Sequence, residues 1–329
     1  MRRRNKFLIT FALTGATVLI APFFVFAQRS KPQPQPAAQN GAAQDGEDAI
    51  FTTDTRLVPL NVTVTDKGGR LVTNLPKSAF QVYEKGVLQQ IKIFKREDVP
   101  VSMGLIIDNS GSMREKRAGV ESAALALVKD SNSQDEVFVV NFNDEIWIDQ
   151  DFTSDISLME KGLTKIDSRG GTAMRDAMWR SVEHLKEGAK RDKKVILVVT
   201  DGNDNASVTS LESLTRLAQQ DDVLIYAIGL LTDEEKREAK KARRALELLA
   251  ESTGGQVFYP KEVSEVERIA HQVAHDIRNQ FTIAYTPSNP ALDGTYREIK
   301  VVVKGPGSPV ARTRSGYYAT KDQQKSARK

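Results

Sequence analysis

The stretch Val101-Ser102-Met103-Gly104-Leu105-Ile106-Ile107-Asp108-Asn109-Ser110-Gly111-Ser112-Met113 decides how the chain is read. Residues 101–107 are apolar apart from Ser102 and Gly104 and show no alternation, the pattern of a strand buried on both faces in a parallel sheet. The run ends abruptly in a carboxylate, Asp108, and two hydroxyls, Ser110 and Ser112, on alternate positions. Open α/β sheets place their ligand sites in the crevice beyond the carboxyl ends of the strands. One charged and two neutral oxygens there suit a hard divalent cation such as Mg²⁺. Two further segments point the same way. Residues 195–200 read as a second buried strand that ends at Asp201-Gly202, and Gly170-Gly171-Thr172 is a glycine turn that delivers one more hydroxyl just before a helical pattern.

Asp108-x-Ser110-x-Ser112, Thr172 and Asp201, in that order, resemble the metal-ion-dependent adhesion site of von Willebrand factor type A domains, as found in exported bacterial proteins. The resemblance covers residues 101–279, and all five positions match. A lone D-x-S-x-S is a weak pattern, because short polar residues recur in turns. Here both aspartates follow apolar strands and the threonine lies between them after a Gly-Gly turn, which is the context the motif requires. The resemblance implies an α/β fold with a doubly wound, mostly parallel, Rossmann-like sheet. It implies a metal site of Asp108, Ser110, Ser112, Thr172 and Asp201, holding Mg²⁺, with Mn²⁺ or Ca²⁺ as alternatives. It also implies a partner protein that offers a Glu or Asp side chain to the metal. In some members of the family a shift of the last helix rearranges the metal ligands; the matching element here is 263–279.

The ligand types carry their own chemistry. Hydroxyls are neutral donors, so five side chains bring only two negative charges. An ion held this way stays electrophilic and keeps positions for water or an outside oxygen. That suits capture of an exogenous carboxylate by a non-enzymatic adhesion or scaffold module. Two other functions compete: a metal-dependent hydrolase or phosphotransferase, and a structural envelope protein whose metal only stabilises the fold. Against catalysis, Asp108-Asn109-Ser110 lacks a second carboxylate two residues on. His184, His271 and His275 all fall on expected helices, away from the strand ends.

The amino terminus predicts export. Arg2, Arg3, Arg4 and Lys6 form a basic region, residues 7–26 are nearly all apolar, and Val25-Phe26-Ala27 offers the small residues of a cleavage site. Residues 1–27 read as a signal peptide, with an uncleaved anchor as the alternative, since about 20 apolar residues also span a bilayer. The expected location is the periplasm, the cell surface or the medium, membrane-anchored if the segment stays. The chain has 47 basic and 43 acidic residues. Without the four basic residues of the leader the two balance, so no electrostatic footprint for nucleic acid remains. There is no cysteine, which excludes disulfides, thiolate metal sites and cysteine nucleophiles.

Residues 28–48 are a Pro- and Gln-rich spacer that cannot bury a core. From Val58 the pattern alternates: Val58, Leu60, Val62 and Val64 mark one face of a half-buried strand. Short strands follow at Leu71–Thr73, Phe80–Val82 and Ile91–Ile93. The other end behaves alike, with Phe281, Ile283, Tyr285 and then Ile299, Val301, Val303 alternating, and residues 315–318 closing the ordered part. Neither end alone has enough strands for a two-layer sheet. We therefore expect 49–100 and 280–320 to form one accessory β-sandwich, with 101–279 inserted between them and a polar tail at 321–329; the alternative is two independent sheet extensions on the central domain.

The centre alternates strands (101–107, 136–142, 146–150, 195–200, 223–228, 256–259) with helices (114–130, 155–165, 173–187, 209–220, 234–251, 263–279). The pair at 136–150 is separated only by Asn143-Asp144-Glu145, which requires an antiparallel hairpin at one edge. A capping box, Thr232-x-x-Glu235, opens one helix, and Gly254 ends it. Three other features read as structure. His271 and His275 have zinc-pair spacing, but Gln272 stands where a metalloprotease has its glutamate. The basic run 236–244 is interleaved with Glu235, Glu238 and Glu247, as on a solvated helix face. Asn203-Asp204-Asn205 reads as a turn that caps the next helix.

Overall fold

A computed structural model describes residues 56–320 apart from 97, 131, 164–167, 203 and 232–235. The leader, the spacer, the tail and the Thr232–Glu235 capping box lie outside those residues. Four strands come first: β1 (Val58–Thr65), β2 (Phe80–Glu84), β3 (Val87–Gln89) and β4 (Ile91–Lys95). The centre runs β5 (Val101–Asp108), α1 (Arg117–Lys129), β6 (Glu136–Phe142), β7 (Ile146–Thr153), α2 (Ile156–Leu163), α3 (Met174–Gly188), β8 (Lys193–Thr200), α4 (Leu211–Gln220), β9 (Val223–Gly229), α5 (Lys236–Thr253), β10 (Val257–Phe258) and α6 (Val266–Arg278). Strands β11 (Phe281–Tyr285), β12 (Tyr296–Val303), β13 (Val310–Arg312) and β14 (Gly316–Tyr318) close the described chain.

The central sheet has the order β10-β9-β8-β5-β6-β7. All its neighbours pair in parallel except β6 and β7, the expected hairpin, which leaves β7 as an antiparallel edge. Every residue of β5 is buried, because helices cover both faces. Met103, Leu105 and Ile107 pack with Val120 and Leu127 of α1, Met159 of α2 and Ile269 and Val273 of α6. Ile106 and Val198 point the other way, into a second core with Met178 of α3, Leu214 of α4 and Leu246 of α5. The break in the apolar run at Gly104 has a steric cause: a Cβ there would lie 2.5 Å from Cζ of Phe138. The doubly wound sheet thus brings the carboxyl ends of β5 and β8, adjacent strands, to one crevice.

The flanking strands form two antiparallel sheets, β13-β1-β11-β4 and β14-β12-β2-β3. Each mixes strands from both ends of the chain, with Leu60 opposite Ile283 and Val82 opposite Val301. Their inner faces share one apolar cluster, in which Leu60, Val62 and Phe281 of the first sheet meet Phe80, Val82 and Ile299 of the second. The result is an added β-sandwich. Inside it Glu84 and Arg297, both almost fully buried, form an ion pair at 3.2 Å. The hydroxyls of Tyr285 and Tyr317 donate to the other Glu84 oxygen at 2.7 and 2.9 Å. Burial, reinforced by the Glu84 charge, pushes the Tyr317 hydroxyl up to about 12.

Polar contacts join the sandwich to the central sheet. Arg312 pairs with Asp276 of α6 at 3.2 Å and Arg314 with Asp222 at 3.0 Å. Gln280, between α6 and β11, donates to Thr63 of β1 at 2.9 Å. Gly254 ends α5 with a φ of +88°, and a Cβ there would lie 2.6 Å from the backbone nitrogen of Arg314, so both backbone geometry and space require glycine.

Several sequence expectations need correction. Residues 71–73 form no strand; Leu71 makes an isolated bridge to Thr65. Strands β3 and β13 were not foreseen, each being three residues long. The helix expected from 114 starts at Arg117, after a 3₁₀ turn at Gly111–Met113. Asp204 does not cap the following helix α4, whose cap is Ser210, accepting from the Ser213 nitrogen at 3.1 Å. It caps the preceding α3 instead, because the loop folds back: Arg175 N and Nε donate to its carboxylate at 2.9 and 3.0 Å.

Candidate metal centre

Asp108 ends β5 with its side chain 1% exposed. Its Oδ1 accepts from the Ser110 nitrogen at 2.8 Å, a turn that lifts the chain out of the strand and over the sheet edge. Its Oδ2 accepts from the Thr200 hydroxyl at 2.6 Å. Ser110 and Ser112 bring their hydroxyl oxygens within 3.2 Å of each other. Ser110 is buried and Ser112 exposed, so the pair runs from the interior to the rim. Burial pushes the Asp108 carboxyl up to about 6; the Thr200 bond opposes this and the nearby Asp201 charge adds to it.

Thr172 is held by backbone rather than by its hydroxyl. Its nitrogen donates to the Asn205 side chain at 3.0 Å, and its carbonyl accepts from Asn205 N and Ala206 N, both at 3.1 Å. The same turn touches the Asp108 loop, where Gly111 N donates to Gly170 O at 3.2 Å and Arg169 N to Asn109 O at 3.0 Å. Gly170 has a φ of +75°, and a Cβ on it would lie 1.9 Å from an Asp144 oxygen. The glycine turn therefore clamps the Thr172 segment between the Asp108 loop and the loop after Asp201.

Asp201 follows β8 and is largely buried. Its Oδ2 lies 3.6 Å from Lys116 Nζ. Its Oδ1 is buried and has no hydrogen-bond partner among the described residues. A buried carboxylate oxygen left unpaired is costly and calls for an explanation such as an absent ion or water. The donor set fits a divalent cation that prefers oxygen: two carboxylates and three hydroxyls, with no imidazole or thiolate among them. Among the described residues no three His, Cys, Asp or Glu side chains converge, so any ion here depends on the hydroxyls.

The sequence reading missed two residues of this neighbourhood, Thr200 and Lys116, and gave Asp204 and Asn205 only a turn. Thr200 orients Asp108; the visible signal was a hydroxyl closing an apolar strand. Asn205 and Asp204 fix the loops, and no sequence pattern marks which way an Asn or Asp side chain turns. Lys116 sits four residues past Ser112, in a run of mixed charge that reads as surface. The three histidines lie elsewhere. His184 pairs with Asp151 at 2.9 Å and stacks on Phe152, and His271 contacts Asp130. His275 is exposed on α6. On α5, Lys241 pairs with Glu238 at 2.9 Å while Leu246 and Leu249 are buried.

Residues 103–272 match the family model of the von Willebrand factor type A domain. That is more than half of the chain. The chain belongs to this family. The von Willebrand factor type A match begins inside β5 and ends within α6, so it takes in the whole crevice and leaves the sandwich outside. No curated protein matches the chain. Among solved structures, a von Willebrand factor type A protein from Catenulispora acidiphila is 13% identical, with a TM-score of 0.47 over 85% of this chain and 78% of its own. The pilus adhesin SpaC from Lactobacillus rhamnosus GG, in its open conformation, is 13% identical, with a TM-score of 0.47 over 77% of this chain and 47% of that one. An aerotolerance-related membrane protein from Bacteroides fragilis NCTC 9343 is 15% identical, with a TM-score of 0.44 over 53% of this chain and 98% of its own. Among the described residues no helix is long and apolar enough to cross a membrane.

Proposed function

We propose that the chain is an exported, non-enzymatic module that binds a partner protein through a divalent ion held by Asp108, Ser110, Ser112, Thr172 and Asp201. The observation that carries this reading is the unpartnered, buried Oδ1 of Asp201, next to a second buried carboxylate and in reach of loops bearing three hydroxyls. Mg²⁺ suits the oxygen donors best, with Mn²⁺ and Ca²⁺ as alternatives. When bound, the ion supplies a Lewis-acidic position for an outside oxygen.

The chain's own residues do the rest. Thr200 and the Ser110 nitrogen aim the Asp108 carboxylate. The clamp of Asn205 on the Thr172 backbone sets the depth of the threonine hydroxyl. Because three of the five donors are neutral hydroxyls, the ion stays electrophilic, and a Glu or Asp side chain of the partner takes its open position through a charge-assisted contact. Against a histidine base, none of the three lies at the crevice: His184 and His271 pair with Asp151 and Asp130, and His275 is exposed on α6. Export rests on the basic and apolar leader at 1–27.

Pull-down from envelope extract tests the reading. A partner should be retained by the parent protein, lost with chelator, and lost with Thr172→Asp, which adds a third carboxylate beside the ion and so cancels its pull on an incoming acid. Retention by Thr172→Asp at the parent level would mean that the metal is not the contact.

A further inference from the structure

The metal-site reading leaves one charged side chain of the crevice without a role. Lys116 lies in a helical turn just before α1. Its nitrogen donates to Met113 O at 2.9 Å, and its carbonyl accepts from Val120 N at 3.2 Å, so its backbone is fixed relative to Ser112 and α1. Its ammonium is fixed at the other end. Nζ donates to the Leu230 carbonyl, just past β9, at 3.2 Å and stands 3.6 Å from Asp201 Oδ2. With its side chain 19% exposed, this is a positioned cation rather than a mobile surface lysine.

The 3.6 Å separation is too long for a good hydrogen bond, so Lys116 acts on Asp201 through charge. We propose that Lys116 is a tethered counter-cation that keeps the site's hold on its divalent ion weak until an outside carboxylate joins the shell. The inference rests on the metal reading above and adds to it a residue that sets ligand demand. Asp108 and Asp201 together bring two negative charges and Lys116 one positive. A divalent ion added to that set leaves an excess of one positive charge. A single carboxylate from outside makes the set neutral. Without Lys116 the ion alone would neutralise the two aspartates, and the call for an acidic ligand would weaken. The lysine thus couples the two binding steps: ion and acid are each held better in the presence of the other.

The Lys116 contact leaves Asp201 Oδ1 free of any hydrogen bond among the described residues. Methionine, with an unbranched stem of similar length, is the conservative neutral replacement and arginine the conservative charged one.

Calorimetric titration of MgCl₂ into the full-length chain, with and without acetate as the carboxylate probe, tests the proposal on the parent, Lys116→Met and Lys116→Arg. Thermal melting of each protein in chelator checks that it is folded. A unit charge within several ångströms of a divalent ion changes its affinity by about tenfold or more at the effective dielectric of a protein surface. Lys116→Met should therefore bind Mg²⁺ about tenfold more tightly than the parent without acetate, and acetate should improve its affinity less than it improves the parent's. Lys116→Arg should behave as the parent. Equal or weaker Mg²⁺ binding by Lys116→Met, or an Arg variant that behaves like Met, overturns the proposal. If the parent takes up no Mg²⁺, the metal reading of the native site fails on its own. Uptake by Lys116→Met in that case shows the lysine blocking the site and supports the counter-cation, whereas no uptake by either protein overturns both.

Discussion

Thr200 Oγ1 donates a 2.6 Å hydrogen bond to Asp108 Oδ2, so the hydroxyl that ends one strand aims the carboxylate that ends its neighbour. The same oxygen accepts from the Gly202 nitrogen at 2.9 Å, which turns the chain and presents Asp201. One side chain therefore sets the direction of both aspartates. Thr200→Val keeps the shape and removes the bond. Asp108 loses a partner that favours its charged form, and the turn at Gly202 loses its acceptor. We expect Mg²⁺ affinity to fall about tenfold, and folding stability to fall by about 1–3 kcal/mol, the cost of leaving buried groups unpaired. Calorimetry and urea unfolding measure the two effects separately. Unchanged Mg²⁺ affinity would remove Thr200 from the site.

The buried Glu84–Arg297 pair joins a strand from one end of the chain to a strand from the other. Glu84→Gln leaves the guanidinium without its buried counter-charge, with only the more exposed Asp293 at 3.9 Å remaining. Breaking one partner of a buried pair costs about 3–5 kcal/mol, and urea unfolding should show a loss of that order. Loss of less than about 1 kcal/mol would mean that the pair behaves as a surface one.

Lys193, at the start of β8, is almost fully buried and donates to the Ile277 carbonyl at the end of α6. Burial lowers its ammonium from 10.5 to about 7, with Asp98 and Asp135 opposing the shift. Below pH 7 the lysine is charged in both folded and unfolded chains, and the burial penalty is fully present. Between pH 7 and 10.5 the folded form is neutral while the unfolded form still holds its proton, so stability from this group rises with pH. Lys193→Met should therefore be more stable than the parent at pH 6, by about 5 kcal/mol, and most of the advantage should be gone by pH 10. A difference that stays constant from pH 6 to 10 in thermal melts would show that Lys193 titrates normally.

The crevice was legible in the sequence because each of its carboxylates follows a mostly apolar strand: Ile107 precedes Asp108, and Val199-Thr200 precedes Asp201. Burial on both faces removes alternation, and the abrupt polar residue then marks the strand end. The sandwich strands β1, β11 and β12 were equally visible through their period of two. Strands β3 and β13 were not. Val87 and Leu88 are exposed, as is Val310, and an edge strand of three residues has no buried face to impose a pattern. Gly104 was read as an interruption, yet it is a close contact with a ring 34 residues away. Lys116 escaped notice for a related reason: its role lies in its approach to Asp201 and Leu230, distant in sequence, and its local run Arg114–Arg117 looks like ordinary surface.

The central claim is that Asp201 holds a divalent ion, and calorimetric titration of Mg²⁺ into the parent and Asp201→Ala measures it most directly. The account predicts one ion per parent chain and none in the variant, with the sheet intact by circular dichroism, because one remaining carboxylate cannot outcompete the hydration of Mg²⁺. Unchanged stoichiometry and affinity in Asp201→Ala would contradict it.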